Sequence, residues 1–482
     1  MAVLSQLEPK SVFRFFEEIS QIPHGSGNVE QISDYLVQFA KERNLFYIQD
    51  AIKNVIIVKE ATEGYEKEPA VIIQGHMDMV AVKKPDCPID MKSQGLQMAV
   101  NGDFIYAEGT SLGGDDGIAV AYALAILDAD DIKHPRLEVV ITVDEETGMD
   151  GARAIDLSML QGKRLLNLDS EEEGILLTSC AGGARVKCEM QASQLQTEGM
   201  LLELELSGLL GGHSGAEIHK ERANSNCLMG RVLYALLQEL DLRLISMEGG
   251  LADNAIPRQT KAVISVNETV AEHLGTAVKK LEKELQGEYA GKDDGLYLTC
   301  KRIGIQETVG ISEDDTMKMV AMLIALPNGV QTMSADMPGL VETSLNLGIL
   351  KFENGRLLAE FAVRSSVESA KHALIDKMRA ITYLAGGSME VSGDYPGWKY
   401  RKESPLREKM IAVYEEMYGE TPKIEAIHAG LECGILGSKI EDLDCVSFGP
   451  DMKDIHTTEE VLSVSSTQRV WQYLLKVLAT KD

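Results

Sequence analysis

The sequence predicts an α/β fold, a mixed sheet flanked by helices and interrupted by an inserted α+β lid domain, and three observations carry that prediction. Apolar, β-branched runs recur at VIIQG, LEVVITV, RLLNL and CVSFG with helix-like segments between them, the alternation that places helices on both faces of a sheet. Each run leads into polar or ionisable residues, at the strand ends where such sheets bind ligands. The 482 residues exceed what one hydrophobic core usually fills, so a second domain is expected.

Taken in order, MAVLSQLEPKSVFRFFEEIS reads as an amphipathic helix. Glu8 and Lys10 break the apolar stretch that a secretory signal requires, so a cytoplasmic protein is expected. VIIQGHMDMV, Val71 to Val80, is a buried strand ending on His76 and Asp78, which share one face because side chains alternate with period two. GGDDG at 113–117 opens IAVAYALAILDA, apolar on nearly every face, which predicts a buried helix with Asp115 and Asp116 at its N-terminus. LEVVITV at 137–143 stops at Asp144, Glu145 and Glu146; RLLNL at 164–168 stops at Asp169; CVSFG at 445–449 leads into PDMKDIHTTEE with His456.

Four of these polar sites precede residue 185 and the fifth follows residue 440, so a domain must be inserted between them. We place one discontinuous domain at 1–185 and 398–482 and the lid at 186–397. Within the lid, LLELELSG and TKAVISV read as strands, NSNCLMGRVLYALLQEL and AEHLGTAVKKLEKELQ as helices, and TSLNLGILKFENGRLLAEFAVRSS as a hairpin around Glu353 to Gly355. With KHALIDKMRAITYLA as a further helix, the lid reads as two βαβ-like halves, left near YPGWKY where Pro396 and Gly397 break local structure.

Composition excludes several function classes. A formal charge of -28, spread along the chain, repels phosphate backbones and anionic lipid, so neither nucleic acid nor a membrane is an expected partner. The longest apolar run, Ile118 to Leu127, is shorter than the about 20 residues a bilayer span needs. Seven scattered cysteines without CxxC spacing indicate reduced thiols and no zinc ribbon.

His76, Asp115, Glu145, Glu146, Asp169 and His456 are thus predicted to converge on one crevice. Each alone has an ordinary explanation: helix caps for Asp115 and Asp116, a solvated turn for the glutamate pair, a hydrogen-bonded loop residue for either histidine. Their coincidence points to metal. Imidazole nitrogen and carboxylate oxygen suit zinc, manganese or cobalt, and no Cys completes a structural zinc site. The donors are too few for two closed sites but sufficient for two ions sharing a bridging carboxylate, assigned to Asp115, with water between the ions. Asp115, Glu146, Asp169 and a hydroxide balance two dications and leave one glutamate of the pair free as a general base. Asp78 is expected to accept the free N–H of His76 and fix its orientation.

At these residues the sequence resembles a known family. GHMDMV, GGDDG, TVDEETG, the Asp of NLDSEE and the His of DIHTTEE resemble, in order, the motif sites of the cocatalytic metallopeptidases that include aminoacylase, carboxypeptidase G and succinyl-diaminopimelate desuccinylase. GGHSGAEIHKERANSN at 211–226 and IHAGLECG at 427–434 are similar to its aminoacyl-histidine dipeptidase branch (peptidase D, bacterial carnosinase), and the likeness runs over essentially the whole chain. The resemblance implies that His76, Asp115 and Asp169 hold one divalent ion and Asp115, Glu146 and His456 the other, zinc being expected, with Glu145 as base. It implies an oxyanion role for His213 and substrate contacts for Arg364 and Asn254. The implied reaction is hydrolysis of unblocked dipeptides, Xaa-His and carnosine among them; deacylation of N-acyl amino acids by the same centre is the alternative. A homodimer is left open.

Overall fold

A computed structural model describes residues 3–482, the side chain of Glu272 excepted. The chain divides into two compact units, one of Met1–Ser179, Tyr400–Ala426 and Leu431–Asp482, the other of Cys180–Lys399 and Ile427–Gly430. The short segment Ile427–Gly430, assigned from sequence to the first domain, therefore clusters with the second. Backbone pairing explains this: the Ala181 N–H donates to the carbonyls of Ile427 and Ala429 at 3.2 and 3.0 Å, and His428 Nε2 meets Ser344 Oγ at 2.7 Å.

The first unit is built on an eight-stranded sheet. At its centre, Leu137–Thr142, Val71–His76, Arg164–Asn167 and Asp444–Ser447 run parallel, with Val71–His76 between the first and third. Val71–His76 and Leu137–Thr142 are buried at every position, which is why both read as unbroken apolar runs and not as alternating ones. Phe46–Gln49 and Val55–Lys59 extend one side antiparallel, and Ile175–Cys180 turns antiparallel on the other, so the sheet is mixed as expected.

Gly114–Asp128 is buried from Gly114 through Leu127, as its all-round hydrophobicity requires. Its Tyr122 ring stacks on Trp471 with centroids 5.8 Å apart. Helix Lys10–Ser20 turns Val12, Phe13, Phe15, Phe16 and Ile19 into the same core. It begins later than the amphipathic pattern suggests, because Pro9 disfavours helical backbone in the residue before it; Met1 and Ala2 lie outside the described residues.

Gly75 lies where the strand VIIQGH meets the buried helix. A Cβ there would lie 2.4 Å from Asp116 Oδ2 and 2.6 Å from the Ala119 Cβ, so only glycine lets the buried helix press onto the strand. Gly75→Ala should therefore lower the unfolding free energy by about 1–3 kcal/mol in urea titrations. An unchanged midpoint would mean the helix can back away freely.

The second unit carries a nine-stranded sheet in which each named pairing is antiparallel. The expected elements form as Leu195–Ser207, Ser225–Leu237, Thr260–Val266, Ala271–Glu288 and Glu368–Leu384. Val341–Glu353 and Arg356–Ser365 make the hairpin, turning through Asn354 and Gly355 at φ 52° and 75°. Leu242–Gly249 pairs with both Thr260–Val266 and Val341–Glu353 and joins these strands into one sheet. Among the described residues, no helix is long and apolar enough to cross a membrane.

Candidate metal centre

The parallel strands deliver their polar ends to one place. His76 is in register with Thr142, after which Asp144, Glu145 and Glu146 follow; Gln74 is in register with Asn167, so Asp169 emerges two residues on, beside His76. Asp115 enters from the N-terminus of the buried helix, and His456 from a loop in which it adopts φ 61°.

Nε2 of His76 lies 3.1 Å from Asp115 Oδ1 and 3.7 Å from Asp169 Oδ1. Nε2 of His456 lies 3.1 Å from Asp115 Oδ2 and 2.9 Å from Glu146 Oε1. Asp115 thus stands between two imidazoles with one oxygen toward each. Glu146 Oε1 is buried, and its contact with His456 is an ion pair without regular hydrogen-bond geometry. Atoms of His76, Asp115 and Glu146 fall within 4.8 Å of one another, as do atoms of His76, Asp116 and Asp169, close enough in both cases to share an ion. Asp116 accepts the His76 backbone N–H on Oδ2 at 3.1 Å and keeps Oδ1 buried without a hydrogen-bond partner, whereas Asp115 has both oxygens turned to imidazoles.

Asp78 corrects one expectation. The ring N–H of His76 donates to the backbone carbonyl of Asp78 at 2.9 Å, while the Asp78 carboxylate stands at 3.5 Å. That carboxylate is engaged elsewhere: Oδ1 accepts the Glu145 backbone N–H at 3.1 Å and Oδ2 accepts Ser26 Oγ–H at 2.7 Å. The chain turns sharply after His76, so the carbonyl reaches the ring first and the carboxylate is left to hold Glu145.

Charge in this cluster is unbalanced toward the negative. Burial opposes an imidazolium at His76, yet Asp115, Asp169 and Asp78 hold its pKa well above the ordinary value. Asp115 and Glu146 raise His456 to about 10. Burial pushes Asp169 up to about 6, with Asp115 and Glu146 adding to the effect and His76 opposing it. Burial also holds Glu145 well above its usual range, reinforced by Asp169, Glu432 and Glu146. Protons on both imidazoles and some carboxyls are the balance these groups reach unaided, so the donor set suits cations of higher charge.

Residues 72–480 match the family described as Peptidase family M20/M25/M40. The chain belongs to peptidase family M20/M25/M40. It is 37% identical over 483 residues to the cytosol non-specific dipeptidase of Escherichia coli (strain K12), covering 99% of each chain. It superposes on the aminoacylhistidine dipeptidase of Vibrio alginolyticus with a TM-score of 0.94 at 35% identity, covering 99% of this chain and 98% of that one. Aminopeptidase PepT of Bacillus cereus, 15% identical with a TM-score of 0.56 over 98% of both chains, shares the fold.

In this M20 peptidase the second unit contains the remaining candidates. His213 Nδ1 accepts the backbone N–H groups of Gly215 and Ala216 at 3.2 and 3.0 Å, so the ring proton sits on Nε2. Burial and the Arg364 charge lower the His213 pKa, keeping the ring a neutral Nε2–H donor. Arg364 has a buried Nε without a partner and a long 3.4 Å contact from Nη1 to Tyr395 Oη, a cation with donors to spare. Asn254 is exposed, and its backbone carbonyl accepts the Ser214 N–H at 2.8 Å. His428, which the sequence placed only in a motif, is held neutral: burial, then the Arg364 charge, lower its pKa to about 3.

Sequence reasoning missed Ser26 and Glu460 of the first unit and gave Glu432, inside IHAGLECG, no role. Ser26 reaches Asp78, Glu432 buries its carboxylate against Gln74 and Thr142 at 2.5 and 2.6 Å, and Glu460 caps the helix that carries Asp115. Burial is the main cause that lifts Glu432 to about 7. Only Glu460 had a usable signal, an acid four positions after His456.

Proposed function

We propose that the protein is a metal-dependent dipeptidase that hydrolyses unblocked dipeptides, Xaa-His and carnosine among them. The observation that carries this reading is Asp115, whose two oxygens each lie 3.1 Å from a different imidazole nitrogen. Bonds of about 2.0–2.1 Å to a tetrahedral ion separate neighbouring ligand atoms by about 3.3 Å, in the range found here. We therefore read His76, Asp115 and Asp169 as one ligand set, and Asp115, Glu146 and His456 as the other, with zinc the expected metal. The names of the full-length relatives favour peptide hydrolysis over deacylation of N-acyl amino acids, and the E. coli relative's name favours a cytoplasmic protein.

When bound, the ions supply Lewis acidity toward the scissile carbonyl and make water a nucleophile near neutral pH. Glu145, anchored through its backbone to Asp78, takes the proton of the attacking water and returns it to the departing amine. We read the inserted stretch 186–397 as a lid, in which His213 donates its Nε2–H to the developing oxyanion, Arg364 pairs with the substrate carboxylate, and Asn254 adds a polar contact. The test is a panel of carnosine, N-acetyl-histidine and other dipeptides on metal-free protein reloaded with zinc, manganese or cobalt. Cleavage of N-acetyl-histidine in preference to carnosine would reverse the assignment.

Metal and protons compete for the same atoms, so stability should depend on pH in a defined sense. Asp169 has its folded pKa raised to about 6 and His456 to about 10, so the metal-free fold binds extra protons and loses stability as pH rises through each value. Zinc needs those groups deprotonated. The Tm increase on adding zinc should therefore grow from pH 5.5 to pH 8; a shift independent of pH would exclude these groups as ligands.

A further inference from the structure

Glu460 is a carboxylate with an unusual set of partners. Oε2 accepts the backbone N–H groups of Leu112 and Gly113 at 2.8 and 3.0 Å, and Oε1 accepts those of Gly114 and Asp115 at 2.8 and 3.4 Å. These are the orphan donors that open the helix Gly114–Asp128, whose N-cap, Gly113, contributes no side-chain bond. The cap comes instead from a residue 345 positions away. Leu112 and Glu460 are 0% and 3% exposed, so water is poorly placed to substitute.

Two glycines keep this turn free of side chains, and Gly114 borders the carboxylate itself. Gly113 has φ 68°, and a Cβ there would meet Met79 Sδ at 2.8 Å; a Cβ on Gly114 would meet Met452 Sδ at 3.1 Å and Glu460 Oε1 at 3.3 Å. The same carboxylate belongs to the segment that supplies His456. Met452–Lys453 and Val461–Ser463 pair antiparallel, and the loop between them carries His456 and, at its base, Glu460. Val461–Ser463 is tied in turn to Phe104–Ala107. One side chain thus joins the backbone of Asp115 to the loop of His456, and the side chains of those two residues meet at 3.1 Å.

We propose that Glu460 is a positioning residue that sets Asp115 and His456 at the separation required by the ion they share. This rests on the two-ion reading above. Only a carboxylate satisfies all four N–H groups: an amide would turn its NH2 toward two of them, and a shorter acid would not span both pairs. Glu460 touches neither substrate nor reacting atoms, and it acts through the two ligands.

The test is calorimetric titration of metal-free wild-type protein and Glu460→Gln with zinc, alongside kcat, KM and thermal unfolding. The expected result is one ion bound as in wild type and the second weakened about 10–100-fold, the range for groups that orient metal ligands. We expect kcat to fall with KM nearly unchanged, and excess zinc to restore part of kcat. Two ions bound with wild-type affinity, or both weakened equally together with a fall in Tm, would overturn the proposal in favour of a merely structural cap. If Glu460→Gln does not fold, Glu460→Asp is read by the same criteria, and failure of both to fold counts against a selective role. Wild-type protein that binds fewer than two ions would refute the centre itself, and the role of Glu460 with it.

Discussion

Glu145→Gln should retain its metals and lose turnover by about 10²–10⁴-fold, the contribution of a positioned proton acceptor. The amide is nearly isosteric with the acid but accepts no proton at neutral pH. Its backbone is held independently of the side chain, because the Glu145 N–H donates to Asp78 Oδ1 at 3.1 Å and Asp78 is itself fixed by Ser26 at 2.7 Å. The neighbouring Glu146 keeps Oε1 2.9 Å from His456 Nε2, so the proposed ligand set is untouched by the exchange. Metal analysis by mass spectrometry and kcat on a dipeptide decide the matter together. Normal turnover would remove Glu145 from the mechanism, and loss of an ion would make it a ligand instead of a base.

On the proposed oxyanion role, His213→Ala should lower kcat by about 10²–10³-fold with a much smaller change in KM, since such a donor acts mainly in the transition state. The tautomer is what makes the residue suitable. With Nδ1 accepting two backbone N–H groups, Nε2 must carry the proton, and the nearby Arg364 charge disfavours a second one. Steady-state kinetics on wild type and variant provide the check. A rise in KM with kcat preserved would recast His213 as a binding contact only.

The strands at the heart of the first sheet were legible because burial on both faces writes itself as an uninterrupted apolar run, and the polar residue after each run marked where the chain leaves the core. The hairpin of the second unit was legible through Asn354 and Gly355, whose positive φ angles suit that pair of residue types. The start of the first helix was misplaced because the hydrophobic pattern continues across Pro9, which the backbone cannot follow. Ile427–Gly430 went to the wrong unit because its partners, Ala181 and Ser344, are far away in the chain and reached only through the fold.

By itself the sequence determined the α/β class, and it offered an inserted domain and six ionisable side chains at strand and helix ends as expectations, since residue type, periodicity and order are local properties that survive without coordinates. The tertiary structure decided what each polar atom faces: that Asp115 lies between two imidazoles, that Asp78 holds Glu145 while its carbonyl holds His76, and that Glu460 caps a distant helix. Those facts depend on distances and directions between atoms that only the fold brings together, and hydrogen bonds to backbone N–H groups leave no trace in the identity of the residue that donates them.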